Sequence, residues 1–422
     1  MQIKEIKKED FNGLARNFEM QSFHQTSNWA DLKVMTGWKS LYLGYEDDNG
    51  QILALGLFLL KKMPVINSYL AYCPRGFMLD YNNSKLLKDF NRDLIACLKD
   101  KHVFELIIDP NVAYKQRDIG GNLVEGGFDN SQVVNDLLDL GYCHKNGFNL
   151  NFENLQPRFL FRTPLDKSYD EIFKGFGTTV KRRAKKKDAL AVEVRELDKS
   201  EIHIFKELME KTADRKGFVD RSFAYYEKMY NAMHDGGFMR LFVAEINFLK
   251  CKENLLETIK DKQEENALLE GKDTKKALNT IATNNSIIDS SNKLLATVNK
   301  SLDERGEIVP LSAICLMTCG IEAIQLLAGN DKDYLQEFST SVIIIAEMIR
   351  KMKEEGYQYY NFYGISGNFD PKSEHYGLYS YKREYGGEVV ELIGQFEYTV
   401  NKPIKMLYDI LMKGYSFLKR IR

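Results

Sequence analysis

Hydrophobic and polar positions follow two different periods along most of this 422-residue chain. Runs of β-branched and aromatic residues predict strands, and apolar residues at a 3.6-residue period predict amphipathic helices. The main predicted strands are 41–45, 52–60, 104–108, 159–164, 241–246, 311–319, 324–327 and 359–363, and the main predicted helices are 86–99, 131–140, 202–212, 221–233 and 341–355. Strands and helices that alternate in this way indicate an α/β (α+β) fold.

The segment between Phe248 and Tyr334 has a different pattern, because it contains no aromatic residue although aromatics make up 12% of the chain. Apolar residues recur there every seven positions, at Ile281, Ile288, Leu295 and Leu302. This heptad pattern, interrupted upstream near Gly271, predicts an antiparallel helical hairpin over 246–305. Such a coiled-coil arm serves either as a structural element or as an interaction surface for tRNA or protein, and the pattern leaves both open.

The chain is too long for one hydrophobic core of usual size, so we expect two domains. Domain 1 is expected over 1–150, and domain 2 over 151–245 and 306–399, interrupted by the arm. A C-terminal helix at about 400–422 carries cations at Lys402, Lys405, Lys413, Lys419, Arg420 and Arg422. Its pattern fits packing back on domain 1 or resting on anionic lipid, and packing is favoured.

The overall charge is close to neutral, with 59 Lys and Arg against 60 Asp and Glu. A uniformly basic nucleic-acid-binding protein is therefore excluded, and a polyanion would have to meet a local patch. The six cysteines show no zinc-ligand spacing, the N-terminus lacks a signal-peptide core, and no uncharged apolar run approaches about 18 residues. We expect a cytoplasmic protein, at most peripheral to the membrane, without a metal or cofactor.

Motifs for covalent, metal-dependent or nucleotide-hydrolysing catalysis are missing from the sequence. One dense basic run stands out instead, with six cations in seven residues at Lys181, Arg182, Arg183, Lys185, Lys186 and Lys187. Such a run is suited to binding a phosphate backbone, although a solvent-exposed helix face could have the same composition.

A second candidate region combines an aromatic strand at 359–363, two glycines and a lysine between aromatic residues. Gly364 and Gly367 permit a positive φ or a close backbone approach just beyond the strand. Lys382 follows in the sequence Tyr379-Ser380-Tyr381-Lys382-Arg383. Ligands often bind at such strand ends, whereas aromatic strands alone usually serve packing.

Short motifs follow one another in order along nearly the whole chain. They are Gln25-Thr26-Ser27-Asn28-Trp29, Gly37-Trp38, Pro74-Arg75-Gly76, Asp80-Tyr81, Ile108-Asp109-Pro110, Leu140-Gly141-Tyr142, Asp214-Arg215-Lys216-Gly217-Phe218, the basic run, the heptad segment, 360–369, 376–382 and Ile393-Gly394-Gln395-Phe396. In their order and spacing they resemble the FemABX family of peptidoglycan interpeptide-bridge aminoacyltransferases. The resemblance implies two domains similar to GNAT acyltransferases, with a helical arm inserted in the second.

The same resemblance implies a reaction. Family members transfer an amino acid from aminoacyl-tRNA to the stem-peptide amine of a peptidoglycan precursor, either lipid II or UDP-MurNAc-pentapeptide. The expected partners are therefore aminoacyl-tRNA, this precursor and related family members, and the expected location is the cytoplasm, at most at the inner face of the membrane.

The resemblance also implies roles for individual residues. Lys33, Arg221 and Tyr225 fall on the positions that contact the precursor diphosphate, and the basic run is expected to contact tRNA. Asp109 matches a position near the acceptor amine. Lys382 aligns with the lysine of the acyl-transfer centre. Two further expected substrate contacts are Tyr363 and Phe104, the latter standing where some relatives have Tyr.

Two other classes of function remain open at this point. A GNAT-type acyl-CoA N-acyltransferase would need a pyrophosphate-binding motif, and Arg117-Asp118-Ile119-Gly120-Gly121-Asn122 misses its last position. A non-catalytic tRNA-binding or cell-wall-assembly protein would depend mainly on the arm.

Overall fold

A computed structural model describes residues 1–63, 66–145, 147, 150, 152, 155–334 and 337–421, with side chains up to residue 412. The strands within these ranges are β1 Gln2–Glu5, β2 Lys39–Glu46, β3 Ile52–Lys62, β4 Tyr69–Cys73, β5 Met78–Leu79, β6 Val103–Ile108, β7 Ala113–Gln116, β8 Cys143–His144, β9 Phe159–Pro164, β10 Val192–Leu197, β11 Met239–Asn247, β12 Ile308–Cys319, β13 Glu322–Asn330, β14 Tyr359–Ile365, β15 Glu388–Leu392 and β16 Phe396–Thr399.

The helices are α1 Lys8–Ala15, α2 Ser27–Val34, α3 Ser84–Asp100, α4 Ser131–Asp139, α5 Tyr169–Lys174, α6 Thr178–Ala184, α7 Ile202–Lys216, α8 Phe223–Met233, α9 Phe248–Leu269, α10 Lys275–Arg305, α11 Thr340–Glu354, α12 Tyr376–Arg383 and α13 Lys402–Ile421. Short 3₁₀ turns cover Phe23–Gln25, Lys199–Glu201 and Lys332–Tyr334. The expected start of domain 2 at residue 151 and the last residue of the C-terminal helix, Arg422, lie outside the described residues.

The strands form two mixed sheets, which confirms the expected α/β class. The first sheet has the order β1-β2-β3-β4-β6-β16-β8, with β5 paired to β3. The second has the order β10-β11-β12-β13-β14-β9-β15-β7. Each sheet contains one parallel pair, β4 with β6 and β13 with β14, among otherwise antiparallel neighbours.

Each sheet takes one strand from the other half of the chain. β7 lies before residue 150 but pairs with β15 in the second sheet, whereas β16 lies far beyond it but pairs with β6 in the first. A buried apolar cluster is also shared, since residues such as Trp29 and Leu57 pack with Phe205 and Met233. The two sheets are thus tied together by strand exchange and by a common core.

Two long helices, α9 and α10, lie in the chain between β11 and β12, which pair directly so that Asn247 is opposite Ile308. The two helices pack side by side, and Asn266 of α9 hydrogen-bonds to Asn284 and Asn285 of α10. Small or polar residues occupy much of the buried face of α10: Ala277, Asn284, Ser291, Val298 and Ser301. An interface between two helices that is this polar gains little free energy from apolar burial. The stability of α9 and α10 therefore depends on the sheet at their base.

That base is held by a buried carboxylate at the end of β13. Asp331 has no exposed side-chain surface, and it accepts from Lys211 of α7 and, at 2.9 Å, from Arg305 of α10. Burial alone would raise the pKa of Asp331, but these two cations and a backbone N–H hold it below its ordinary value. The carboxylate therefore joins α7, α10 and the second sheet.

We expect Asp331→Asn to lower the free energy of unfolding by about 2 kcal/mol, because it leaves two cations without their partner while both remain partly exposed. A carboxyl whose pKa is lowered on folding stabilises the protein above its unfolded pKa, and this contribution disappears as the pH falls through the folded pKa. Urea unfolding should therefore show a difference between variant and wild type at pH 7 that shrinks below about pH 4. Asp333→Asn, an exposed neighbour, is the matched control and should change little.

Candidate active site

A cavity of about 300 Å³ opens where the parallel strands β13 and β14 separate. The two strands pair only from Glu322 opposite Tyr359 to Ile324 opposite Asn361. Beyond this point Gln325 of β13 and Phe362 of β14 do not pair with each other, and both line the cavity. The separation of two strands thus creates a site inside the second sheet.

The charge of this cavity is one-sided. Its described lining contains three cations, Arg215, Lys216 and Lys382, and no carboxylate. A neutral or apolar ligand would leave these charges uncompensated, so the cavity suits an anionic one.

Lys382 lies at the closed side of the cavity and is only 8% exposed. It is on the inner face of α12, three positions after the buried Tyr379. Its Nζ donates to the carbonyl oxygens of Phe362 and Gly364, both at 2.7 Å. An ammonium group has three N–H donors, so these two bonds fix its position and leave one donor for a ligand.

Burial lowers the pKa of Lys382 to about 7, and the nearby charge of Lys216 adds to this. Its ordinary value is near 10.4, so Lys382 exchanges its proton close to neutral pH, as an acid–base group in a reaction must.

Gly364 near the end of β14 and Gly367 just after it allow close packing at this end of the strand. A Cβ on Gly367 would lie 2.3 Å from the ring of Phe159, and one on Gly364 would lie 2.7 Å from Pro157. The positive φ lies instead within β14, at Tyr363, with φ 64°, where the pairing with β9 is irregular and the Asn361 side chain accepts from the Tyr363 N–H at 2.8 Å.

Tyr363 belongs to a second cluster, which faces the first sheet. Its hydroxyl donates to Gln156, and Arg75 acts on it electrostatically, although burial raises the Tyr363 pKa overall. Asp109, at the end of β6, is 2% exposed and accepts from the Tyr72 hydroxyl at 2.7 Å and from the Arg75 backbone N–H at 2.6 Å. Burial raises the pKa of Asp109 against the opposing effects of Arg75 and Tyr72.

Lys33 and Arg221 form the cationic part of the same region. The Lys33 ammonium lies 4.3 Å from the ring centre of Trp29, and the Arg221 guanidinium lies 5.4 Å from that of Tyr225. Burial lowers the pKa of Lys33, and the charge of Arg221 lowers it further. No carboxylate within 4.0 Å balances either cation among the residues that the structure describes. Two neighbouring cations without a carboxylate partner repel each other, and an anion bound between them would remove that repulsion.

The two clusters are neighbours. Lys33 and Arg75 both act electrostatically on the buried His24, which connects the Lys33 pair to the Asp109 cluster. Strand β14 lies between these groups and the cavity, since Phe362 lines the cavity while Tyr363 contacts the Asp109 side.

The basic run begins on α6, and Arg183 acts electrostatically on the cavity without lining it. The charge of Arg183 acts on Tyr381, which lines the cavity and whose pKa is raised mainly by burial. Arg182, Lys185 and Lys186 are exposed. Two members have protein partners: Lys181 donates to the Lys174 carbonyl at 3.0 Å, and Lys187 pairs with Glu347 at 3.0 Å.

Among the expected catalytic and substrate-binding residues, the structure places Phe104 apart from both clusters. It lies near the opposite end of β6 from Asp109, and its ring packs 5.0 Å from that of Tyr408 in α13. Five residues of strand span about 16 Å, so Phe104 belongs to the packing beneath α13.

Three cations of the site had no role in the sequence interpretation: Arg75, Arg215 and Lys216. All three lie in motifs that carried the family resemblance, Pro74-Arg75-Gly76 and Asp214-Arg215-Lys216-Gly217-Phe218. The signal in the sequence that could have identified them was a cation within one of these short motifs.

A buried lysine of near-neutral pKa that lines a cationic cavity, with a second pair of cations nearby, is the arrangement expected of an enzyme site that binds anionic groups. The FemAB family profile matches residues 6–413. A lipid II:glycine glycyltransferase of Staphylococcus epidermidis is 31% identical over 392 residues, covering 91% of this chain and 89% of the relative. One of Staphylococcus aureus is 28% identical over 421 residues, covering 97% and 95%.

The crystal structure of FemX superposes with a TM-score of 0.78 at 26% identity, covering 96% of this chain and 99% of that one. The chain belongs to the FemAB family, and it is an aminoacyltransferase.

The lysine cluster makes a testable electrostatic prediction. Because the charge of Lys216 helps to lower the Lys382 pKa, we expect Lys216→Gln to raise it above about 7. Carbon-13 NMR of the lysine Cε signals over a pH titration measures this value. Lys228→Gln removes an exposed charge on α8 that does not act on Lys382, and should leave the titration where it is. An unchanged midpoint in Lys216→Gln would contradict this account of the cavity.

Proposed function

We propose that this chain transfers an amino acid from aminoacyl-tRNA to the stem-peptide amine of a peptidoglycan precursor and so builds the interpeptide bridge. The relatives named lipid II:glycine glycyltransferases support lipid II as acceptor and glycine as the transferred residue. The observation that carries the proposal is Lys382, held by two backbone carbonyls with a near-neutral pKa at the end of a cation-lined cavity.

On the donor side, the aminoacyl ester enters this cavity with its carbonyl beside Lys382. The acceptor amine attacks the ester carbon, a C–N bond forms, and the C–O bond to the ribose breaks. The ammonium stabilises the oxyanion that develops on the carbonyl oxygen, and with a pKa of about 7 it can also give a proton to the leaving ribose oxygen. The proton that the attacking amine loses passes to solvent, and solvent returns one to Lys382 after it has protonated the ribose oxygen, so amine and ester give amide and ribose hydroxyl without an acyl-enzyme.

On the acceptor side, Lys33 and Arg221 bind the diphosphate of the precursor, with Tyr225 beside them. Charge-assisted bonds of this kind contribute roughly 1.5 to 3 kcal/mol each. Asp109 acts near the acceptor amine, either directly or through the Tyr72 hydroxyl that it holds. Tyr363 lies between this side and the cavity, which supports its role as a substrate contact. Positioning the amine against the ester supplies most of the acceleration.

The tRNA body contacts the basic run. Arg182, Lys185 and Lys186 are its exposed members, and Arg183 acts electrostatically on the cavity. We also propose that α9 and α10 form an inserted coiled-coil arm on the second of two GNAT-like domains, available to tRNA or to a related family member. The enzyme works in the cytoplasm, at the inner face of the membrane when its acceptor is lipid-linked.

We expect Lys382→Ala to lower kcat for transfer by about 10²- to 10³-fold, because it removes the cation that meets the oxyanion. Binding of charged tRNA and of precursor should remain. The measurement is single-turnover transfer from glycyl-tRNA to lipid II and, separately, to UDP-MurNAc-pentapeptide, with products identified by mass. Lys372→Ala, an exposed lysine before the same helix, is the control.

Each measurement in this experiment has an outcome that would contradict the proposal. Unchanged transfer in Lys382→Ala would contradict the role of Lys382. Transfer from an acyl-CoA, with none from charged tRNA, would sink the donor and favour a GNAT-type acyl-CoA enzyme. Binding of both ligands without transfer by the wild type would make the chain a binding protein.

The basic run gives a second prediction, on salt dependence. Lys185→Glu combined with Lys186→Glu should weaken tRNA binding and flatten the slope of log K against log salt by about 0.7 to 0.9 for each phosphate that the protein no longer neutralises. Lys85→Glu with Lys88→Glu, two exposed lysines of α3, makes the same charge change elsewhere. Filter binding over a salt series compares them, and equal slopes in both double variants would show that the run is a solvated surface.

A further inference from the structure

The C-terminal helix α13 is oriented opposite to an ordinary surface helix. Its charged and aromatic side faces the protein, since Lys405 pairs with the buried Glu105 at 3.0 Å and Tyr408 packs on Phe104. In a soluble protein the apolar side of such a helix normally faces the core. Here the polar side takes that place.

The apolar side of α13 faces outward. Four large hydrophobic residues of this side are exposed, namely Met406 at 66%, Leu407 at 39%, Ile410 at 59% and Leu411 at 47%. The spacing of three and four residues between Met406, Leu407, Ile410 and Leu411 places them along one stripe of the helix. Single exposed apolar residues are common, but a continuous stripe marks a surface that meets an apolar partner.

The charge of the segment indicates which partner. Residues 402–422 contain one acid, Asp409, and six cations, Lys402, Lys405, Lys413, Lys419, Arg420 and Arg422. The sequence also continues the apolar spacing with Phe417, Leu418 and Ile421. A second copy docking through the same helix would bring like charges together, whereas an anionic bilayer would neutralise them and accept the apolar stripe.

We propose that α13 lies in the surface of an anionic phospholipid bilayer, with Met406, Leu407, Ile410 and Leu411 in contact with lipid. No helix of the described residues is both long and apolar enough to cross a bilayer, so the contact is interfacial. The consequence for catalysis, delivery of a lipid-linked acceptor to the site, rests on the proposed function. The membrane contact itself does not.

Vesicle flotation of the full-length chain tests the contact without turnover. The wild type should float with phosphatidylcholine–phosphatidylglycerol vesicles and at least about tenfold less with phosphatidylcholine alone, and high salt should reduce the bound fraction. Leu407→Asp with Ile410→Asp should reduce flotation on anionic vesicles at least about tenfold. The control is Leu268→Asp with Leu278→Asp, which makes the same change at exposed leucines of α9 and α10 and should float like the wild type.

Circular dichroism checks that both double variants fold. Failure of the wild type to float, or equal flotation of the two double variants, would overturn the proposal. So would a concentration-dependent dimer that the Leu407 and Ile410 changes abolish in the absence of vesicles.

A separate experiment measures transfer to lipid II in anionic vesicles and in detergent. If the Leu407 and Ile410 changes abolish flotation and stop transfer in vesicles but not in detergent, the membrane contact and the acceptor are both supported. If they abolish flotation while the wild type itself transfers nothing to lipid II, the contact is supported and the proposed acceptor is refuted.

Discussion

The separation of β13 from β14 is the constraint on which the site depends. A parallel pair that ends after three residues leaves main-chain carbonyls inside a sheet, where water cannot easily satisfy them. Lys382 satisfies two of them, and this anchors an ammonium group at one defined point. The same burial lowers its pKa to about 7. One local break in strand pairing therefore supplies a cavity, a fixed donor and a group that titrates near neutral pH.

Two kinds of partly or fully buried cation differ in their partners: some pair with carboxylates, and others lie beside a second cation. Lys211 and Arg305 share the buried Asp331, and Arg195 pairs with both Glu201 and Glu245, so these charges hold elements together. Lys33 and Lys382 are instead partly desolvated beside another cation, and both have lowered pKa values. Keeping like charges together without a carboxylate destabilises the free protein, and an anionic ligand removes that repulsion.

The sequence was sufficient for the features that depend on local periodicity. The β14 strand, the helices α7, α8 and α11, and the dense basic run follow from spacing and composition, whereas α12 was not among the predicted helices. Residues brought together over long distances were not accessible in this way: Arg75 reaches Asp109 across 34 positions, and Lys216 reaches Lys382 only because α7 and α12 border one cavity. Phe104 is the opposite case. The family resemblance gave it a substrate contact, whereas the structure places it five strand positions from Asp109. Hydrophobic periodicity alone also could not show that β7 joins the second sheet and β16 joins the first.

The C-terminal helix shows why amphipathicity does not fix which side of a helix is buried. Its sequence fits packing on the first half of the chain and also fits contact with lipid. The structure makes the two compatible, because the polar side provides the packing through Lys405, Glu105 and Tyr408 while the apolar side stays outside. An ion pair with a buried carboxylate orients the helix, since Glu105 would otherwise remain desolvated without a counterion. The ion pair between Lys405 and Glu105 thus holds the polar side of α13 toward the protein while the apolar stripe stays on the outer side.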